Sequence, residues 1–235
     1  MGRLLLVRHA QASFFGASYD QLSALGHEQA RALGEHWATV GMRFDTVHVG
    51  PRRRHHQTCE IVAGCYRDRG LPWPDACELA ELDEHEGLRV IKQQLGRTDA
   101  SDDAMHPAET AERERDVVRR EFFRQYTSTL REWARGALQL PGVESWSEFR
   151  ARSLRALDLL CAGGNGARAV AFTSGGLVSS ATGWLLGLDE DRVIDLSLVL
   201  RNTGLTEVGW SARRRRLVSF NALPHLPGPD GATVV

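Results

Sequence analysis

A chain of 235 residues, 42% hydrophobic and 25% charged, is long enough to bury one large core and has the composition of a soluble globular protein. Its formal net charge of −1 excludes a global pull toward nucleic acid or membrane surfaces, and no apolar run approaches the ~20 residues of a membrane-spanning helix. The run at Leu4-Leu5-Leu6-Val7 is too short for a secretory leader, so a cytoplasmic location is expected. Cys59, Cys65, Cys77 and Cys161 lack CxxC pairing or zinc spacing and read as free thiols in a reducing compartment.

In chain order, Leu4 to Val7 has no apolar/polar alternation, which suits a strand buried on both faces, and it stops abruptly at Arg8-His9. After a loop to Asp20, Ser23 is the expected N-cap of a helix reaching about Val40, with Leu25, Ala30, Leu33, Trp37 and Val40 on its inner face. Residues 44–49 read as a second strand broken by Gly50-Pro51. Arg52-Arg53-Arg54 then opens a helix at the end where the macrodipole favours anions, so something anionic should compensate: a bound ligand, or nearby Glu and solvent. The pair Arg54-His55 repeats Arg8-His9 and by itself reads as solvated surface. Residues 76–82 suggest a short strand leading to the acidic segment Asp83-Glu84-His85-Glu86-Gly87.

Residues 98–140 are expected to form a helical insertion capping the core, beginning near Pro107, with Val118, Phe122, Tyr126, Leu130 and Trp133 as its packing stripe. Ser145 and Glu148 make a capping box before a helix to about Leu160. Residues 167–172 read as another buried strand, followed by Thr173-Ser174-Gly175-Gly176 and a helix through Leu186. Strands are expected at 203–210 and 215–220, joined at a solvated arginine run (213–216), before an irregular proline-rich tail.

Strand–helix alternation predicts an α/β fold: a three-layer α/β/α sandwich with a mostly parallel central sheet and a helical cap insertion, in one domain over 1–235. Parallel strands bring their carboxyl ends to one edge, where open sheets bind ligands. Arg8-His9, Gly50 to Arg54, Asp83-Glu84 and Ser174-Gly175-Gly176 all fall there. Converging arginines and a helix N-terminus suit a phosphoryl group. A histidine among these cations is disfavoured as imidazolium and stays nucleophilic, while a nearby carboxyl can protonate a leaving oxygen and then activate water. No metal-ligand or cofactor motif is visible, so the residues point to metal-free phosphoryl transfer through a phosphohistidine.

Several motifs in order resemble the histidine phosphatase superfamily, which includes phosphoglycerate mutases and fructose-2,6-bisphosphatases. Leu6-Val7-Arg8-His9-Ala10 resembles the Arg-His-Gly signature, with Ala10 for glycine. Leu22 to Gly26 with Gln29-Ala30 resembles the first helix; Gly50-Pro51, Arg54 and Gln57-Thr58 resemble the second arginine motif, with Gly50 where serine is usual; and Leu82-Asp83-Glu84 resembles the acid segment. The resemblance implies His9 as phosphorylated nucleophile, Arg8 and Arg54 as phosphate clamps, Glu84 as proton donor, and Ser174 and Gly175 in the phosphate turn. It also implies that the insertion is a substrate cap, with Glu144-Ser145 bordering the pocket.

One departure stands out: the family has a second histidine in a His-Gly motif where this chain has Ser174-Gly175. Loss of one electrostatic donor costs about 10²–10³ in rate. By residue type His225 could substitute, although its setting reads as surface. The expected activity is therefore a phosphomonoesterase acting on a small phosphorylated metabolite. The alternatives are a weak or inactive phosphate-binding pseudoenzyme and a mutase-type phosphotransferase. Expected partners are a small phosphorylated substrate or phosphate, not nucleic acid or membrane. Substrate identity and oligomeric state are not encoded in any motif.

Overall fold

The computed structural model describes residues 1–13, 20–87, 89–90, 112–226, 228 and 231–234. Among them, β1 (Gly2–Arg8), β2 (Thr46–Val49), β3 (Ala76–Glu78), β4 (Arg168–Thr173), β5 (Leu205–Trp210) and β6 (Arg215–Ala222) form one sheet in the order β3-β2-β4-β1-β5-β6. The first four strands in that order run parallel; at one edge β5 pairs antiparallel with β1, and β6 antiparallel with β5. The unbroken apolar run of β1 is explained by its central place. Leu4 and Leu6 face one apolar layer with Leu157, Leu160, Leu177 and Val178, while Val7 faces another with Leu33, Trp37, Val62 and Phe172. Helices α1 (Ala24–Thr39) and α2 (Arg53–Asp68) supply the second layer; α4 (Trp146–Leu160) and α5 (Gly175–Leu186) supply the first. The expected three layers are present.

Register places the chemistry. Arg8 pairs with Thr173 and Val49 with Phe172, so His9, Gly50 and Ser174 leave their strands nearly level with one another. The expected strand at 76–82 is only partly a strand. After Ala76–Glu78 the chain turns through a short 3₁₀ helix, Ala80–Leu82, and the Leu82 carbonyl accepts from Thr173 Oγ1 at 2.7 Å. That bond draws Asp83-Glu84 over the sheet edge. Strand β2 begins later than residue 44 because Asp45 instead closes a turn, its carboxylate accepting from the Arg168 N–H at 2.7 Å.

Of the expected 98–140 insertion, residues 98–111, with Pro107, lie outside the described residues. Glu112–Ala134 form one helix, α3. Its Tyr126, Leu130 and Trp133 pack with Trp146 and Phe149, and with Val193 and Ile194 of α6 (Glu190–Val199). The sequence pattern does not predict helix α6. Only Val193 and Ile194 of its ten residues are buried, too few to make a periodic stripe, but Asp189 caps it by accepting from the Arg192 N–H at 2.9 Å. Ser23 and Ser145 are the N-caps expected, the latter in a complete capping box. Among the described residues no helix is long and apolar enough to cross a membrane.

Trp37, fully buried against Phe44 and Phe172 at ring separations of 5.0 and 6.4 Å, anchors α1 to the sheet. Trp37→Ala should lower unfolding free energy by about 3–5 kcal/mol, read as a reduced urea midpoint at unchanged slope.

Candidate active site

The turn leaving β1 is pinned on every side. The His9 N–H donates to the Thr173 carbonyl at 2.8 Å, and the His9 carbonyl accepts from Asn202 Nδ2 at 3.1 Å. Thr203 reaches the Arg8 carbonyl at 3.0 Å from a backbone angle of φ +56°, a conformation strained for a β-branched residue. The Ala10 N–H donates to Thr58 Oγ1 at 3.1 Å, and Thr58 in turn donates to the Arg54 carbonyl at 2.7 Å. Gln57 accepts from the Leu22 N–H at 2.9 Å. Through these bonds Gln57 and Thr58 of the second arginine motif tie α2 to the loop after β1.

His9 is buried, and its Nδ1 lies 2.7 Å from the Ala10 carbonyl. A carbonyl only accepts, so Nδ1 carries the proton and Nε2 keeps its lone pair. That lone pair accepts from Arg54 Nε at 3.0 Å. Burial, then the charges of Arg54 and Arg8 and the neighbouring His55, hold the imidazole well below its ordinary pKa. It is a neutral base aimed at a guanidinium.

Arg54 is 3% exposed, and its fork reaches His9, Asp20 Oδ1 at 2.7 Å and Ser174 Oγ at 3.2 Å. Asp20 Oδ2 also accepts from the Arg53 N–H at 2.8 Å, and Arg52 bonds Asp83. Asp20 and Asp83 are therefore the anions that balance the arginine-rich start of α2. Asp20 had no sequence signal, because its partners lie far along the chain and only tertiary packing joins them. Arg8 donates to the Leu200 carbonyl and lies against Gly175, where a Cβ would stand 3.5 Å from its Nε.

Glu84, whose side chain is 19% exposed, accepts from the His85 N–H at 2.9 Å and the Gly176 N–H at 3.1 Å. Burial pushes its pKa up, but His85, these two N–H groups and Arg54 together hold it below the usual value. Residue 176 must be glycine for this approach, since a Cβ there would fall 2.1 Å from Glu84 Oε1. Arg152 of α4, which no sequence motif singles out, holds the segment in place. It clasps Glu144 with two bonds (2.9 and 2.7 Å) and donates to the carbonyls of Glu81 (3.1 Å) and Asp83 (2.8 Å).

All six expected site residues thus converge at one edge, with Ser174 fully buried between Arg54 and His55. Two histidines differ from expectation. His55, read as solvated surface, is fully buried because α2 turns it inward beneath the strand ends. His225, read as surface, is also buried; its Nε2 lies 2.8 Å from Thr203 Oγ1, and burial with His36 nearby pushes its pKa down to about 4. Among the described residues no group of three or more His, Cys, Asp or Glu side chains converges as metal ligands would.

Fold and site together define a three-layer α/β protein with a neutral imidazole, guanidinium groups, a hydroxyl and a helix N-terminus at the carboxyl edge of its sheet. Its sequence matches the histidine phosphatase superfamily (branch 1) over residues 4–125 and 109–223, and the chain belongs to that superfamily. No curated protein sequence matches it at a significant level. Among solved structures, the α-ribazole phosphatase of Shigella flexneri superposes with a TM-score of 0.62 at 19% identity, covering 94% of this chain and 96% of that one. A mycobacterial glucosyl-3-phosphoglycerate phosphatase, solved with inorganic phosphate, gives 0.59 at 21% identity over 95% and 99% of the two chains. A phosphoserine phosphatase mutant of Entamoeba histolytica, solved with phosphoserine, gives 0.56 at 16% over 96% and 100%. At these identities the likeness is one of fold.

The two buried imidazoles have a consequence for stability. Burial, followed by the charge of Arg54, lowers both His9 and His55 well below 6.5, so the folded protein keeps them neutral. Below that value the unfolded chain binds protons that the folded one does not. Stability should then fall as pH drops from about 6.5, by up to ~1.4 kcal/mol per pH unit for each histidine. Urea midpoints measured across this range should show the decline, with a shallower slope in His9→Gln and in His55→Gln.

Proposed function

We propose that the protein is a phosphomonoesterase that hydrolyses a small phosphorylated metabolite through a phosphohistidine on His9, without a metal. The observation that carries this reading is the His9 imidazole: its Nδ1–H is committed to the Ala10 carbonyl, so Nε2 offers its lone pair beside the Arg54 guanidinium. A phosphoryl group entering the site would take over the Arg54 N–H groups through its oxygens and so release Nε2 to attack. Arg8, Arg54, Ser174 Oγ and the Gly175 N–H would hold the non-bridging oxygens.

In the first half-reaction the Nε2–P bond forms as the P–O bond to the leaving group breaks, and the leaving oxygen takes a proton from Glu84. In the second, water attacks phosphorus, Glu84 accepts its proton, the P–N bond breaks and phosphate departs, restoring neutral His9. Glu84 rests ionised, which suits the second half; the first needs it protonated. Its lowered pKa therefore predicts rates on alkyl phosphates that climb as pH falls from about 8 toward 5. Helix α3 and the segment before it are proposed as the cap that selects the substrate. The solved neighbours named for α-ribazole, glucosyl-3-phosphoglycerate and phosphoserine support a small phosphomonoester.

A second reading, a phosphate-binding protein with little turnover, is favoured by one feature: the uncharged Ser174 in the phosphate turn. Incubation with labelled aryl phosphate separates the two. The enzyme should yield an acid-labile phosphate on His9 that His9→Ala lacks. Hydrolysis by the wild type no faster than by His9→Ala would leave only the binding protein. Glu84→Gln should lose about 10²–10⁴ in kcat/KM on an alkyl phosphate and far less on p-nitrophenyl phosphate, whose leaving group needs no proton. Equal losses on the two substrates would remove Glu84 as the acid.

A further inference from the structure

His55 is a fully buried imidazole that the steps above do not use. Its Nε2 lies 2.6 Å from Ser174 Oγ, and its ring centre is 5.6 Å from that of His9. Nδ1 faces the Gly50 peptide. Only glycine fits at that position, since a Cβ on residue 50 would stand 2.5 Å from Nδ1 and 2.7 Å from the Leu82 carbonyl oxygen. Ser174 begins α5, yet its hydroxyl makes no cap bond to the helix. It is spent sideways instead, between Arg54 Nη2 at 3.2 Å and His55.

Proton placement follows from donor counting. Arg54 can only donate, so it occupies one lone pair of Ser174 Oγ; the Gly50 backbone beside Nδ1 favours the ring proton there, which leaves Nε2 to accept the serine proton. In this state the Ser174 hydroxyl points away from any anion on the Arg54 fork. For it to donate to such an anion the Ser174–His55 bond must reverse, and with Nδ1 already protonated that requires a second ring proton, on Nε2.

We propose that His55 is a positioning residue for the anion site: on binding of a tetrahedral dianion it takes one proton from solvent, donates Nε2–H to Ser174 Oγ, and so turns the serine proton onto an oxygen of the ligand. The pair then acts as a donor with a positive charge behind it, whereas the hydroxyl alone is a neutral acceptor. This rests on the reading of the site as a phosphoryl pocket. The groups around His55 fit the role. Arg52, Arg54 and His56 on its own helix and His9 across the site oppose a charge on it, and these, after burial, keep it neutral at rest. Of the nearby carboxylates, Asp83 is bonded to Arg52 and Glu84 to the Gly176 N–H. A bound dianion is the group that reverses the balance.

Sulfate is the appropriate probe, because it stays a dianion where phosphate would itself titrate. Its association constant is measured by calorimetry on the intact protein between about pH 5 and 7.5 for wild type and His55→Gln, which retains a polar group near Nε2 but cannot titrate. Uptake by His9 is common to both proteins. The wild-type constant should therefore fall more steeply with rising pH, by up to about tenfold more per pH unit. Should His55→Gln not fold, the imidazole carbon shift of His55 in the wild type, followed with and without sulfate, reads the same protonation. Sulfate binding that Arg54→Ala abolishes, with equal slopes in wild type and His55→Gln or an unmoved His55 shift, overturns this proposal and leaves the phosphoryl pocket standing. No sulfate binding, or binding that Arg54→Ala leaves intact, overturns both.

Discussion

A guanidinium sealed beneath a protein surface has to be satisfied on every side, and Arg54 is the group around which this site closes. Desolvating such a cation costs several kcal/mol unless anions and acceptors meet it. Asp20, His9 and Ser174 meet it from the loop after β1, the end of β1 and the end of β4. Remove that charge and these segments have little reason to converge; keep it, and each is oriented toward the same point. The acceptor at His9 is available because the other ring nitrogen is committed to the backbone. The tautomer of the proposed nucleophile and the pairing of the clamp are thus one arrangement seen from two ends.

The second half of the site depends on a different residue. Arg152 reaches from α4 to the carbonyls of the 81–84 turn and to Glu144, and Thr173 bonds the Leu82 carbonyl. The Glu84 carboxylate is consequently held on the first turn of α5. Two layers of helices therefore each deliver one half: α2 brings the guanidinium and imidazole, while α4 and α5 fix the carboxylate. The sheet between them supplies rigidity, its two apolar faces packed independently. Histidines buried neutral at this seam should lower stability in acid, where the unfolded chain binds protons that the resting site excludes.

Much of the fold was legible in the residues because its signals are local. An apolar run without alternation says that both faces of β1 are covered, and Ser23, Ser145 and Glu148 announce helix starts through bonds that span only three residues. Helix α6 had too few buried positions to show a stripe, and Ala80–Leu82 turned into a 3₁₀ helix because a distant threonine, not the local sequence, claims its last carbonyl. In the site, Arg8, His9, Arg54, Glu84, Ser174 and Gly175 could be singled out because strand ends in a parallel sheet share an edge. His55 could not, since a histidine in a run of arginines looks the same whether the helix turns it outward or inward.

What the chain by itself determined is the set of elements and the edge at which its chemistry collects, for both follow from periodicity, capping and the rule that parallel strands end on one side. Tertiary structure alone decided the partners: Asp20 on Arg54, Arg152 behind Glu84, and His55 at Ser174, in the turn where the family resemblance implied a different histidine. Those pairings join residues far apart in sequence through register and packing. No local pattern records which side chains will be buried together and must therefore satisfy one another's hydrogen bonds.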